Sequence, residues 1–241
     1  MAKRNPKQEG SNVFDCKPQS GPCPVDCNQC FYNRPDAFYV DINKPHMPTP
    51  EEVGDGIVRV NCGHDSNIER EKVIKETEQY PRKFFNTSMP YLDFPAPVVF
   101  TANAEEEKPA KRPGQMKVDF KNSMFVRLRV SGTNLQHIQN AASAWTDWEI
   151  PVVLTFMAYY DKEPPWDENN PMCRDEAYIW KTRHVNSYWC ATKAFMVYVL
   201  NKMRPISRLV SLCGGLESNY CRECRNCETY YWQTIKRMRG E

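Results

Sequence analysis

Phe125-Val126-Arg127-Leu128-Arg129-Val130-Ser131-Gly132-Thr133-Asn134 is the stretch that decides the fold of this chain. Residues 125–130 form a short apolar-rich run, and Ser-Gly-Thr-Asn breaks it. Beyond the break, Leu135, Ile138, Ala142 and Trp145 recur with helical spacing, and a second apolar run occupies residues 152–157. Strand, helix and strand in that order form a βαβ unit, which calls for a parallel sheet.

The same alternation extends outward in both directions. Residues 12–15, 57–61, 84–88, 98–102 and 208–212 read as further strands. After residue 61, Ser66 and Glu69 have the spacing of a capping box. They precede a helix carrying Val73, Ile74, Thr77 and Tyr80, which Pro81 stops. Residues 183–203 read as one long helix with Val185, Trp189, Met196, Val199, Leu200 and Met203 on one side. Residues 104–122 and 161–175 are charged, proline-bearing loops. One connection resists the pattern: residues 89–97 hold Pro90, Pro95 and Pro97 and are too short for a crossover helix. The strand count is therefore open, and the expected architecture is α/β, an incomplete or irregular (β/α) barrel. Several strands end in polar residues, namely Asn61, Thr87, Ser88, Thr101, Asn103, Arg129 and Ser131. The carboxyl ends of parallel strands are where such folds bind ligands.

Composition narrows the class. The chain has 241 residues, 41% of them hydrophobic, enough for a buried core. Lys and Arg number 32 against 30 Asp and Glu, so nucleic acid is not an expected partner. No apolar run reaches the roughly 18 residues of a membrane span. The polar N-terminus lacks the apolar stretch of a secretory signal, so the expected compartment is the cytoplasm. The chain has eleven cysteines, and in a reducing compartment clustered cysteines read as metal ligands rather than disulfides. Seven are clustered. Cys23, Cys27 and Cys30 form C-x3-C-x2-C, and Cys213, Cys221, Cys224 and Cys227 form C-x7-C-x2-C-x2-C. Three thiolates are one short of full iron–sulfur ligation, whereas four close a zinc or iron–sulfur site. With Cys16 included, the first cluster would also be closed.

The C-x3-C-x2-C loop after a short strand resembles the radical S-adenosylmethionine (SAM) superfamily. Asn-Cys-Gly-His-Asp-Ser-Asn at 61–67 and Phe-Asn-Thr-Ser at 85–88 are similar to stretches of radical-SAM-like proteins of bacteria and phages. The resemblance implies a partial, TIM-like (β/α) barrel over residues 11–212 and a Cys-rich metal-binding extension over 213–241. Cys23, Cys27 and Cys30 would hold a [4Fe–4S] cluster whose fourth iron binds SAM. Reductive cleavage of SAM would then give a 5′-deoxyadenosyl radical that abstracts hydrogen from a substrate. Gly63 and His64 fall where the family places its SAM-amine motif, with one glycine retained and His64 or Asp65 near the acid. Ser131 and Asn134 fall where polar side chains meet the SAM ribose. The implied partners are a small-molecule or peptide substrate and a flavodoxin-type reductase. The C-terminal quartet would hold a second [4Fe–4S] cluster or zinc. The alternative is a non-catalytic iron–sulfur or zinc module for electron transfer or interaction.

Other residues have plainer readings. Trp145, Trp148, Trp180, Trp189 and Phe195 are expected in the core, and His137 and His184 on helix surfaces. Lys236, Arg237 and Arg239 read as a solvated tail. Cys62 reads as a small buried cysteine, and Cys173 and Cys190 as ordinary thiols. Arg127 and Arg129 share one strand face, either as salt-bridged or solvent-facing residues or as an inward anion site. No phosphate loop, nucleophile elbow or H-E-x-x-H motif is present.

Overall fold

The computed structural model describes residues 4–27, 29–33, 39–105, 108–116, 118–160, 162–183 and 187–241. His184 and Val185 lie outside the described residues. Seven strands form one parallel sheet: β1 (Val13–Cys16), β2 (Ile57–Val60), β3 (Lys83–Thr87), β4 (Val98–Thr101), β5 (Ser123–Val130), β6 (Val152–Phe156) and β9 (Val210–Leu212). They lie side by side in chain order, and the sheet curls into a half-barrel. The helices are α1 (Pro50–Val53), α2 (Arg70–Glu76), α3 (Leu135–Thr146), α4 (Arg174–Ala177), α5 (Lys193–Met203), α6 (Cys221–Cys224) and α7 (Asn226–Arg239). Strands β7 (Tyr178–Lys181) and β8 (Tyr188–Ala191) form a separate antiparallel hairpin between β6 and β9.

Alternation along each strand sorts the side chains onto two faces. Val58, Val60, Phe85, Val98, Phe100, Val126, Leu128, Val152 and Leu154 pack against Val73 of α2, Ile138 and Trp145 of α3, and Phe195 and Val199 of α5. This helix-covered face is the convex one. The opposite, concave face begins with an apolar row: Val13, Ile57, Phe84, Val99, Phe125 and Val153. That row is covered from within by Tyr230, Tyr231 and Ile235 of α7. Helix α7 therefore fills the amino-terminal half of the concave side. Asn226 donates to the Leu212 carbonyl at the end of β9 (2.7 Å), and Arg237 donates to the Ser123 carbonyl at the start of β5.

The connection over residues 88–97 joins two strands that do pair in parallel, without a helix. Leu92 and Phe94 take the helix's place, both buried, with Phe94 stacked on Phe85 at 4.6 Å and the Arg70 guanidinium 3.9 Å from its ring centre. Each buried side chain of this size stabilises by about 1.5–3 kcal/mol. The Asn122 amide satisfies the Leu92 and Phe94 carbonyls (2.7 and 3.0 Å), so the loop leaves little backbone unpaired.

Four expectations need correction. Ser66 and Glu69 form no capping box. Glu69 is left-handed and makes no side-chain cap, and Ser66 is buried, its N–H bonded to the Asn86 carbonyl (3.0 Å). The expected helix at 183–203 is a strand followed by a helix, because Trp189 exchanges both backbone hydrogen bonds with Tyr159 and Thr192 caps α5 at the Phe195 N–H. Trp148 and Trp180 are not core residues, being 57% and 43% exposed. The basic residues near 237 are not all solvated, since Arg237 is committed to the Ser123 and Lys121 carbonyls.

Candidate functional site

The cysteine loop leaves the carboxyl end of β1 and turns twice. Asp26 N–H bonds to the Cys23 carbonyl (3.3 Å), and Cys30 N–H bonds to the Cys27 carbonyl (3.0 Å). Asp26 and Gln29 take left-handed backbone angles, φ 45° and 51°, in these turns. Such angles cost free energy at a non-glycine residue and persist where the surroundings impose them. The result brings Cys23, Cys27 and Cys30 into one neighbourhood, where a thiolate at any of them bears on the others. Burial pushes the Cys23 thiol up, and pushes Cys27 up to about 11 against the opposing pull of Arg129.

Four residues of this segment, Gln19, Gln29, Phe31 and Tyr32, hold it over the half-barrel. Gln19 donates to the Asp65 and Ile68 carbonyls (3.2 and 2.8 Å). The Tyr32 hydroxyl is hydrogen-bonded to the Cys62 thiol, just past β2. Gln29 accepts from the Tyr160 N–H (3.1 Å), and the Phe31 ring lies 6.2 Å from that of Tyr160, just past β6. The loop thus bridges the carboxyl ends of β2 and β6. Gly63 is fixed by the same packing, since a Cβ there would lie 2.9 Å from the Tyr32 ring.

The residues expected around SAM divide into two groups. Gly63 and His64 lie beside the cysteine loop. His64 is partly buried, and burial holds its imidazole below the usual histidine range. Asp65 next to it is a clamp: its carboxylate accepts from Thr87 Oγ1 (2.8 Å), Ser88 N (2.6 Å), Ser88 Oγ (2.7 Å) and Asn67 N (2.9 Å). Ser131 and Asn134 stand together past β5, where Asn134 accepts from the Ser131 N–H (2.9 Å) and donates to the Arg129 carbonyl (2.9 Å). Cys16 points the other way, buried in the convex-face core.

Above the α7 plug, the concave face becomes polar. Strand parity places Asp15, Arg59, Asn86, Thr101, Arg127 and Thr155 there, with Arg129 one step higher, and Asn61 follows β2 in a left-handed turn (φ 61°) at the rim. Asp15 and Arg59 form a buried ion pair, Nε to Oδ1 2.6 Å, with side chains 2% and 12% exposed. Burial alone would raise the Asp15 carboxyl, but Arg59, Asn5 and Gln8 outweigh it and hold it below the usual range. The C-terminal quartet borders this layer. Cys213 follows β9, Cys221 and Cys224 bound α6, and Cys227 opens α7. Gly214 N–H donates to the Cys224 sulfur (3.3 Å). Burial pushes Cys227 up to about 12 against the opposing pull of Arg59, with Cys213 and Cys221 reinforcing the rise.

All eleven cysteines are free thiols. Among the described residues, no three His, Cys, Asp or Glu side chains stand gathered as a ready ligand group. Both cysteine sets have the soft-donor chemistry of iron or zinc sites, and a metal would have to draw the thiols together. Two open surface clefts, about 360 Å³ beside α5 and β9 and about 570 Å³ beside Trp180 and Trp189, contain no cysteine.

Comparison with protein-family models, curated proteins and solved structures finds no match. The site is therefore argued from its own residues. Sequence reading singled out the cysteines but missed Gln19 and Tyr160, the residues that anchor their loop. Neither carries a local signal, because both act through partners distant in sequence. No helix among the described residues is long and apolar enough to cross a membrane.

Proposed function

We propose that this chain is a radical SAM enzyme. The observation that carries the reading is a C-x3-C-x2-C loop leaving the first strand of a parallel half-barrel and lying over the carboxyl ends of its strands. Cys23, Cys27 and Cys30 would hold a [4Fe–4S] cluster, leaving one iron for SAM; when bound, the pair supplies a one-electron cleavage that yields a carbon radical. Cys16 supports three ligands rather than four, because its side chain packs in the convex-face core. The chain's own contribution is position. Gln29 and Tyr32 pin the loop to the rims of β6 and β2, and the rings of Phe31, Tyr32 and Tyr160 pack along it. Gly63 and His64 lie beside the loop, within reach of a cofactor seated there, and Ser131 and Asn134 border the same mouth. Cys213, Cys221, Cys224 and Cys227 would hold a second metal, iron–sulfur or zinc, beside α7. A flavodoxin-type donor would supply the electron.

The test is electron paramagnetic resonance on anaerobically reconstituted, dithionite-reduced protein with and without SAM, together with assay of 5′-deoxyadenosine. A reduced-cluster signal that shifts on adding SAM, and is lost with Cys23→Ala/Cys27→Ala/Cys30→Ala, is the expected result. A signal indifferent to SAM, or cleavage that survives the triple substitution, overturns the proposal and favours an electron-transfer or structural metal module.

A further inference from the structure

The concave face presents three arginines, and two of them are spoken for. Arg59 is neutralised by Asp15 (2.6 Å), and Arg129 donates to the Ala104 carbonyl and the Met157 sulfur. Arg127, on β5 with Arg129, has one polar contact among the described residues, a 3.5 Å approach to the neutral Asn86 Oδ1, and no carboxylate partner. Its charge bears on the Cys62 and Cys227 thiols, but a half-buried guanidinium with no carboxylate beside it among the described residues is an unusual thing to keep inside a fold.

Two buried polar groups, Thr155 on the same face and Asn61 at the rim just past β2, lack partners among the described residues. Asn61 Oδ1 and Thr155 Oγ1 are buried and make no hydrogen bond. The Asn61 amide nitrogen is already used on Ser66 Oγ (3.1 Å), which leaves its oxygen as an open acceptor. Asn61 is 1% exposed, so water does not readily compensate it. Buried polar atoms in folded proteins are nearly always satisfied, and an orphan calls for an explanation. Here a cation on β5, Arg127, and a hydroxyl on β6, Thr155, share one polar layer, with Asn86 of β3 next to Arg127 and the Asn61 acceptor at the rim just past β2. That layer lies below the cysteine loop and above the α7 plug.

We propose that this layer is the seat of an anionic substrate, with Arg127 binding its carboxylate or phosphate and Asn61 and Thr155 taking its N–H or O–H groups. Guanidinium geometry matches a two-oxygen anion bidentately, which lysine does not. The ligand class is thus a small polar molecule carrying an oxyanion and at least one hydrogen-bond donor. The word substrate rests on the radical SAM reading, but the anion site itself does not.

The test is nuclear magnetic resonance of the full chain labelled with [15N]arginine, titrated separately with inorganic phosphate and with acetate, which distinguishes the two anion classes. It is run with the cysteines unmetallated and again after reconstitution. A saturable shift of the Arg127 Nε–H signal is expected for one of the two probes. Arg127→Met is expected to weaken binding at least about tenfold, and Arg127→Lys to keep the fold while losing most of the affinity. Binding that is absent, or unchanged in the Lys variant, overturns the proposal. Displacement of the probe by SAM alone also overturns it, since the anion seat would then belong to the cofactor. So does a Met variant that binds the probe normally but loses metal from the C-terminal cysteines, because Arg127 would then serve only as their counter-charge. If the site binds its probe while SAM is never cleaved, the functional reading fails and the anion site stands.

Discussion

Replacing Arg59 with Met removes a charge from the concave face and keeps the side-chain stem. It strands Asp15, whose carboxylate is 2% exposed and 2.6 Å from Arg59 Nε. Breaking a buried pair by removing one partner costs about 3–5 kcal/mol. Asn5, Gln8 and Tyr39 still donate to Asp15, at 2.9, 2.8 and 3.3 Å, and soften the loss. The orphaned carboxylate also has an escape, because it can take a proton. That sets a ceiling of about 4 kcal/mol at pH 7, from about 1.4 kcal/mol per unit over the roughly three units above the ordinary aspartate value near 3.9. At pH 5 the same ceiling is about 1.5 kcal/mol. In the wild-type chain the Asp15 carboxyl titrates below its ordinary value. Its contribution is therefore complete above that value, at both pH 5 and pH 7, and is lost only as pH falls through the folded value. Urea unfolding followed by circular dichroism is expected to show Arg59→Met less stable by about 3–4 kcal/mol at pH 7 and by about 1–2 kcal/mol at pH 5. An equal loss at the two pH values, or a loss under about 1 kcal/mol at pH 7, would refute a buried and mutually dependent pair.

Three further outcomes follow from the packing. Tyr231→Ala, at a buried position against the inner apolar row, is expected to cost about 3–5 kcal/mol in urea unfolding and to speed amide exchange throughout α7; a loss below about 1 kcal/mol would contradict docking of α7 on the concave face. Gly63→Ala drives a Cβ to 2.9 Å from the Tyr32 ring and is expected to lower stability by about 1–3 kcal/mol and to raise the rate at which Cys62 reacts with a thiol reagent, because Tyr32 must move off it; unchanged reactivity would deny that contact. Asp65→Asn turns an amide donor toward the Ser88 N–H and hydroxyl and is expected to cost about 2–3 kcal/mol, read as a lowered urea midpoint at unchanged slope, with Asp65→Ala costing no less.

The parallel sheet was legible because buried parallel strands are short apolar runs, and residues 57–61, 84–88, 98–102, 125–130 and 152–157 all read that way. The strand count was not legible, because the loop at 88–97 covers the sheet with Leu92 and Phe94 instead of a helix, a substitution that hydrophobic period does not reveal. The β7–β8 hairpin was hidden for a different reason. Aromatic residues at 188–198 fit a helical stripe, and only the pairing of Trp189 with the distant Tyr159 selects a strand. Helix α7 went unread in the sequence, although Tyr230, Tyr231, Thr234 and Ile235 are spaced as one helical face. Its position inside the half-barrel is a tertiary fact that the stripe alone cannot supply. At the site, the cysteine loop was conspicuous by spacing. The family resemblance set Asp65 and Asn134 near the cofactor; the hydrogen bonds that Asp65 accepts from Thr87 and Ser88 join residues too far apart in sequence to be read beforehand, while those of Asn134 go to Ser131 and Arg129.

The covering of the inner apolar row by α7 bears on how the protein is made. Every strand of the sheet has been synthesised by Leu212, yet Val13, Ile57, Phe84, Val99, Phe125 and Val153 acquire their cover only when residues 226–239 arrive. Until residues 226–239 dock, that row is apolar surface open to water, the kind that holdase chaperones recognise and that drives aggregation. Because α6 and α7 also carry Cys221, Cys224 and Cys227, the step that covers the row is the same step that brings the C-terminal thiols to the polar layer. Closure of the core and assembly of that thiol cluster are thereby one event in the life of each molecule.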